Sequence, residues 1–161
     1  MGFHILTMGS QRHRGPKAAS FMSIIRGNQD VIAMMVLGGV FERFPRLRVG
    51  LFEVGAHWVG PACRRMDMYC QVFPGAHAAK MELKPSEYVA RNIRVSPFNF
   101  EPVDRYIQDD PELAGVFCYS TDYPHVEGTK DSMNKMLAKV EPLGEEITTK
   151  FFRTNAEWLL P

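Results

Sequence analysis

The residues best suited to chemistry lie near the end of the chain, in the segment Asp122-Tyr123-Pro124-His125. They follow a continuous apolar run, residues 115–119, which the pattern predicts to be a buried strand. Acidic side chains just past the C-terminal ends of such strands are typical of the catalytic groups of α/β barrels. An isolated Asp122 is equally well explained as a loop cap, so the groups near the other strands decide between the two interpretations.

Two further strands carry groups of the same kind. His4 lies in a short apolar strand, residues 3–7, and Glu53 comes at the end of a second predicted strand, residues 48–54. An unpaired buried carboxylate is costly, so Glu53 is expected to have a partner. His4 is also consistent with a hydrogen-bonded core residue. Because carboxylate and imidazole groups together suit zinc, manganese or iron, the sequence indicates a metal or proton-transfer site at the strand ends.

The elements that must position these residues alternate between strand and helix. An apolar period of 3.6 residues predicts one long helix from about Ser20 to Phe44, where Pro45 ends it. A second long helix is predicted from His57 to about Phe73. The other predicted elements are a helical turn from residue 85, strands at 93–96 and 116–119, and helices at 102–108, 133–140 and 145–160. This alternation predicts four parallel βα units.

The bulk properties favour one domain spanning residues 1–161 and exclude several functions. The net charge of +1 provides neither a basic patch for nucleic acid nor an acidic tail. No apolar stretch approaches the roughly 18 residues that span a membrane, and we expect no secretory signal. The three cysteines, Cys63, Cys70 and Cys118, form no zinc motif and are expected to be buried thiols. These features together predict a cytoplasmic protein.

The order of the motifs resembles the C-terminal half of amidohydrolase family 2, metal-dependent barrel enzymes related to aminocarboxymuconate-semialdehyde decarboxylase. Five segments carry this resemblance along nearly the whole chain. They are Phe3 to Thr7 (similar to the fifth barrel strand), Gly39 to Leu47 (a helix-to-strand signature), Glu53-x-Gly55-x-x-Trp58 (a sixth-strand motif), Thr121 to His125 (similar to the eighth-strand signature Ser-Asp-Tyr-Pro-His), and Asn155-Ala156 of the terminal helix. The resemblance implies an α/β fold, a partial (β/α)8 barrel of strands five to eight with a C-terminal helix.

The resemblance also implies roles for individual residues. His4 and Asp122 are expected to be metal ligands, and Asp122 is expected to be the acid/base group as well. His125 is expected to orient Asp122 or the loop around it. Decarboxylases of the family place a His after the sixth strand as a proton donor, whereas Glu53 holds that place here. This difference weakens the case for decarboxylation and leaves hydrolysis open, with Glu53 as a second catalytic candidate.

Two residues that follow the second strand, His57 and Trp58, are candidates for the mouth of the pocket. A Trp at the start of a helix is also typical of a packing anchor. The sequence does not decide between these two roles.

The family's first-strand motif, which supplies two further metal ligands, has no counterpart in this sequence. We therefore expect a fragment of a metal-dependent hydrolase or non-oxidative decarboxylase that acts on a small carboxylated or cyclic substrate. The alternative is a catalytically inactive truncated barrel that serves as a binding or assembly module. The expected cofactor is a divalent metal, zinc ahead of manganese or iron, which this chain binds weakly. The open strand edges of a half-barrel further predict a homodimer or other association through those edges.

Overall fold

The computed structural model describes residues 2–3, 17–75, 77, 81–125 and 130–160, and side chains from residue 26 onward. Three parallel strands, β1 (Gly2–Phe3), β2 (Val49–Leu51) and β3 (Ile93–Val95), form a sheet in that order. A fourth strand segment continues this array through a parallel bridge between Val95 and Phe117. The fold is therefore α/β with parallel strands. His4 lies outside the described residues.

Helices fill the connections between the strands. They are α1 (Lys17–Leu37), α2 (Val40–Arg43), α3 (Val59–Val72), α4 (Pro85–Asn92), α5 (Val103–Asp109) and α6 (Ser132–Val140). The C-terminal helix, residues 145–157, comprises α7 (Glu145–Thr149), a π-helical segment (Lys150–Thr154) and α8 (Asn155–Glu157). The main core lies between the helices and the strands, where Val36, Val59 and Val95 are fully buried. Within the described ranges, no helix has the length and apolarity to cross a membrane.

The single helix predicted from Ser20 to Phe44 is in fact two helices, α1 and α2. The break falls at Gly38 and Gly39, and Gly39 has a φ of 70°. A Cβ atom at Gly38 would lie 2.5 Å from the carbonyl oxygen of Met34. Both positions therefore require glycine, because a left-handed φ and a close backbone approach exclude most side chains.

The signature from Gly39 to Leu47 is explained by hydrogen bonds to helix α4. The side-chain amide of Asn92 donates to the carbonyl oxygens of Pro45 (3.0 Å) and Leu47 (2.7 Å). The Tyr88 hydroxyl donates to Glu42. These contacts fix the connection that leads into β2, so this signature has a structural role and lies apart from the strand ends that carry chemistry.

The outer edge of the fourth strand segment is covered by the C-terminal helix. The side-chain amide of Asn155 donates to the carbonyl oxygen of Phe117 (2.8 Å). The backbone N–H of Tyr119 donates to the carbonyl oxygen of Phe151 (2.9 Å). This edge was predicted to be open. The helix instead supplies the partners that a neighbouring strand would supply.

Trp158 and Leu159, which follow the C-terminal helix, cover part of the sheet on the side opposite the main core. Gly50 on β2 and Arg94 on β3 are paired in register and share this face. The Arg94 guanidinium lies over the Trp158 ring at 3.9 Å, and Leu159 packs near Gly50. Burial of this guanidinium lowers the pKa of Arg94 to about 10. Trp158 therefore shields part of this sheet face.

Association through the strand edges remains a prediction. It requires an uncovered edge on the fourth strand segment. A second copy can pair with the fourth strand segment only if the C-terminal helix moves away from Phe117 and Tyr119. Sedimentation velocity at micromolar concentration measures whether such association occurs.

We predict that Asn155→Ala lowers the free energy of unfolding by about 1–3 kcal/mol, because it leaves the carbonyl oxygens of Ala114 and Phe117 without their side-chain donor. Urea denaturation measures this loss. The matched control is Glu157→Gln on the same helix, which removes only an exposed ion pair with Arg153 and should leave the urea midpoint unchanged. Equal midpoints for the two variants would contradict the role assigned to Asn155.

Candidate metal centre

The two predicted acidic residues, Glu53 and Asp122, both have left-handed backbone conformations. Their φ angles are 56° and 51°, the only positive values among the non-glycine residues that the structure describes. The chain turns at Glu53, so β2 is shorter than the strand predicted over residues 48–54. A left-handed conformation costs an L-residue roughly 1–2 kcal/mol, and strained backbone of this kind clusters at active sites and ligand-binding loops. The strain therefore marks the same two residues as the sequence pattern.

These turns bring Glu53, Asp122 and His125 together. Nδ1 of His125 lies 2.7 Å from Oε1 of Glu53 and 3.5 Å from Oδ1 of Asp122. The backbone N–H of His125 also donates to the Asp122 carbonyl oxygen at 2.8 Å, which closes the turn. The two carboxylates are largely buried, with side chains 13% and 19% exposed, whereas the His125 side chain is 54% exposed. Glu53 thus has the partner that its burial demands.

The three side chains meet the chemical requirements of a divalent cation site. Each offers a ligand atom, and these atoms lie within 4.8 Å of one another. Two carboxylates and one imidazole form a mixed oxygen and nitrogen donor set that suits zinc or manganese. The donors present therefore fit the divalent metal that the sequence predicts.

A cavity of about 240 Å³ opens beside Glu53 and Asp122. Its lining comprises Phe52, Glu53, Ser96, Pro97, Phe98, Asn99, Ser120, Thr121 and Asp122. Every one of these residues follows directly after β2, β3 or the fourth strand segment. Ser96 to Asn99 were not among the predicted site residues, although their position after the third strand is the same signal that identified Glu53. Hydroxyl, amide and aromatic groups together suit a small polar molecule with an apolar or planar body.

His57 and Trp58 do not line this cavity. Trp58 is 5% exposed, and its indole N–H donates to the carbonyl oxygen of Gly55 at 3.0 Å, as expected of a packing anchor. His57 has a 45% exposed side chain and lies 3.4 Å from Glu101. The structure therefore separates these two candidates from the Glu53, Asp122 and His125 cluster.

The buried cysteines do not provide a nucleophile. Burial raises the pKa of Cys63 and of Cys118 to about 12 in each case. Because the thiolate is the reactive form of cysteine, both groups are inert at neutral pH.

Comparison with known proteins relates the chain through its fold. No family model and no curated protein matches the sequence. Among solved structures, an amidohydrolase from Mycobacterium avium subsp. paratuberculosis K-10 is 23% identical, with a TM-score of 0.72 over 85% of this chain and 34% of that protein. The 5-carboxyvanillate decarboxylase LigW from Sphingomonas paucimobilis is 20% identical, with a TM-score of 0.62 over 96% of this chain and 44% of that protein.

A third solved structure includes a metal. It is a 5-carboxyvanillate decarboxylase from Novosphingobium aromaticivorans DSM 12444 complexed with manganese and 4-hydroxy-3-methoxy-5-nitrobenzoic acid. It is 17% identical, with a TM-score of 0.59 over 88% of this chain and 39% of that protein. The chain thus shares the fold of part of these proteins and spans between 34% and 44% of their lengths.

We predict that His125→Ala weakens Mn²⁺ binding by at least about tenfold, because His125 contacts both carboxylates of the cluster. Isothermal titration calorimetry with Mn²⁺ measures the affinity. His77→Ala is the matched control, since it removes an imidazole that lies outside the cluster and lines a different cavity. An equal loss of affinity in both variants would show that the cluster is not the binding site.

Proposed function

We propose that this chain belongs to the amidohydrolase family 2 barrel proteins and carries part of the active site of a metal-dependent hydrolase or non-oxidative decarboxylase. The proposed substrate is a small carboxylated or cyclic molecule. The observation that carries the proposal is the convergence of Glu53, Asp122 and His125 beside a cavity at the ends of parallel strands. The amidohydrolase and decarboxylase neighbours of the same fold support it.

The metal in this proposal is a divalent ion held by Asp122 together with His4, the second ligand that the family resemblance implies. Glu53 and His125 adjoin Asp122 and complete the set of candidate donors. Manganese is the metal named for one neighbour, and zinc suits the same donors. When bound, such an ion polarises a substrate carbonyl or lowers the pKa of a water molecule.

The residues of this chain supply proton transfer and orientation. Asp122 borders the cavity, so its carboxylate can accept a proton from water and return it to the leaving group. The hydrogen bond between Glu53 and His125 keeps a second carboxylate at the cavity wall beside Asp122. Ser96, Phe98 and Asn99 line the cavity, so a hydroxyl, an amide and an aromatic ring are the groups that they offer to a substrate.

Of the two reactions we favour hydrolysis, because Glu53 stands where the resemblance places a proton-donating His in decarboxylases of the family. Oε1 of Glu53 lies 2.7 Å from Nδ1 of His125. A proton acceptor beside the cavity serves the activation of water. Decarboxylation requires a proton donor for the carbon that loses carbon dioxide, and His125 is the candidate for that role.

The alternative is that this chain is a catalytically inactive binding or assembly module. The chain spans 34% and 44% of the lengths of two neighbours, and at 23% and 20% identity the likeness shows a shared fold and no activity. Tight catalytic zinc sites usually have three protein ligands. If His4 and Asp122 are the only ligands that this chain supplies, it binds metal weakly and shows no turnover. Metal analysis after dialysis, with assays on aromatic carboxylates and lactones, separates the two cases. Near-stoichiometric metal with measurable turnover excludes the inactive module.

We predict that Asp122→Asn weakens Mn²⁺ binding at least about tenfold and lowers any turnover of the loaded protein by about 10²-fold or more, because the amide cannot accept the proton. Asn tolerates the left-handed conformation, so the melting temperature should stay within a few degrees of the parent value. The matched control is Asp131→Asn, an exposed acid outside the cluster. If Asp122→Asn lowers turnover less than about tenfold, Asp122 is not the proton-transfer group.

A further inference from the structure

A buried carboxylate, Glu101, connects the loop that carries Glu53 with the loop after β3 that lines the cavity. It is 6% exposed and lies in the connection between β3 and α5. We propose that Glu101 is a positioning residue that holds Glu53 and the cavity wall in their observed relation. This inference rests on the proposed function, since it names a residue that acts on the same site without contacting substrate or metal.

The carboxylate of Glu101 accepts hydrogen bonds from three backbone N–H groups. Ala56 donates to both oxygens at 3.0 and 3.1 Å, and His57 donates to Oε1 at 3.1 Å. Phe98 donates to Oε2 at 2.7 Å. Hydrogen bonds of backbone N–H groups to an ionised carboxylate are among the stronger ones in proteins. The connection after β2 and the connection after β3 are therefore fastened to one side chain.

The first loop held in this way carries Glu53. Its backbone passes through left-handed conformations at Glu53 (φ 56°) and at Gly55 (φ 64°) and then meets Glu101 at Ala56. A Cβ atom at Gly55 would lie 3.3 Å from Oε1 of Glu101, so the loop and the carboxylate are closely packed. Strained conformations persist only where the surrounding structure fixes them. Glu101 supplies that constraint immediately after the strained residues.

The second loop held in this way forms the cavity wall at Phe98 and Asn99. The ammonium group of Lys139 on α6 donates to the carbonyl oxygens of Asn99 and Glu101, both at 2.7 Å. Glu101 thus has its backbone fixed by α6, while its side chain is fixed by the loop that leads into α3. Both sets of contacts are directed at the loops of the cavity.

Asp110 is a second buried acid, and it pairs with an arginine away from the cavity. It is 8% exposed, close to the value for Glu101, and the guanidinium of Arg64 donates to both of its oxygens. This pair links α3 to the end of α5 and borders neither the cavity nor the metal cluster. Asp110 is therefore a control for the general effect of disturbing a buried carboxylate.

The test is Glu101→Gln in the full chain, with Asp110→Asn as the matched control. Either orientation of the introduced side-chain amide directs its NH₂ group at a backbone N–H, since Ala56 and His57 face one oxygen position and Ala56 and Phe98 face the other. We expect Mn²⁺ affinity to fall about 10- to 100-fold in Glu101→Gln and less than about twofold in Asp110→Asn. Circular dichroism establishes that both variants are folded at the titration temperature.

Two results of this titration overturn the inference. One is an Mn²⁺ affinity of Glu101→Gln within about twofold of the parent protein. The other is an equal loss of affinity in Asp110→Asn, which would assign the effect to general destabilisation.

A second measurement separates this inference from the proposed function. If the parent protein itself fails to bind Mn²⁺, the proposed function fails, and the amide chemical shift of Glu53 in NMR spectra then decides the role of Glu101. A shift change at Glu53 in Glu101→Gln that is absent in Asp110→Asn supports positioning. An unchanged Glu53 signal refutes it.

Discussion

The candidate site depends on one backbone constraint, the left-handed turn that follows two of the parallel strands. At Glu53 and at Asp122 the chain leaves its strand direction with φ angles of 56° and 51°. A regular strand would send successive side chains to opposite faces. The turns instead direct both carboxylates to the position where His125 contacts each of them. The conformational cost is offset by the hydrogen bonds that hold these loops.

The rest of the fold maintains that geometry from two sides. Glu101 fastens the connections after β2 and β3, and the C-terminal helix covers the edge of the strand that leads to Asp122. Trp158 lies over Arg94 on the sheet face that faces away from the main core. The strands are short, with two or three residues each, so these side-chain contacts supplement a small strand ladder.

Sequence patterns predicted the parallel α/β arrangement and put His4, Glu53, Asp122 and His125 in or after strands, because strand-end position is a local signal. The last three lie together, and His4 lies outside the described residues. They did not separate His57 and Trp58 from the site, since a turn of one or two residues decides whether a side chain enters the cavity. Glu101 and Trp158 could not be predicted, because their partners lie far away in the chain. The helix break at Gly38 and Gly39 was visible as a glycine pair, but the apolar period continued across it.

The site proposed above requires that the strand-end cluster of Glu53, Asp122 and His125 binds a divalent metal. An anomalous difference map from crystals of the chain grown with Mn²⁺ tests this requirement. We expect a peak about 2.0–2.2 Å from carboxylate oxygens of Asp122 or Glu53, the range of carboxylate–metal distances. A peak confined to other surface acids, or a map with no peak beside Asp122 in protein saturated with Mn²⁺, would refute metal binding at this cluster.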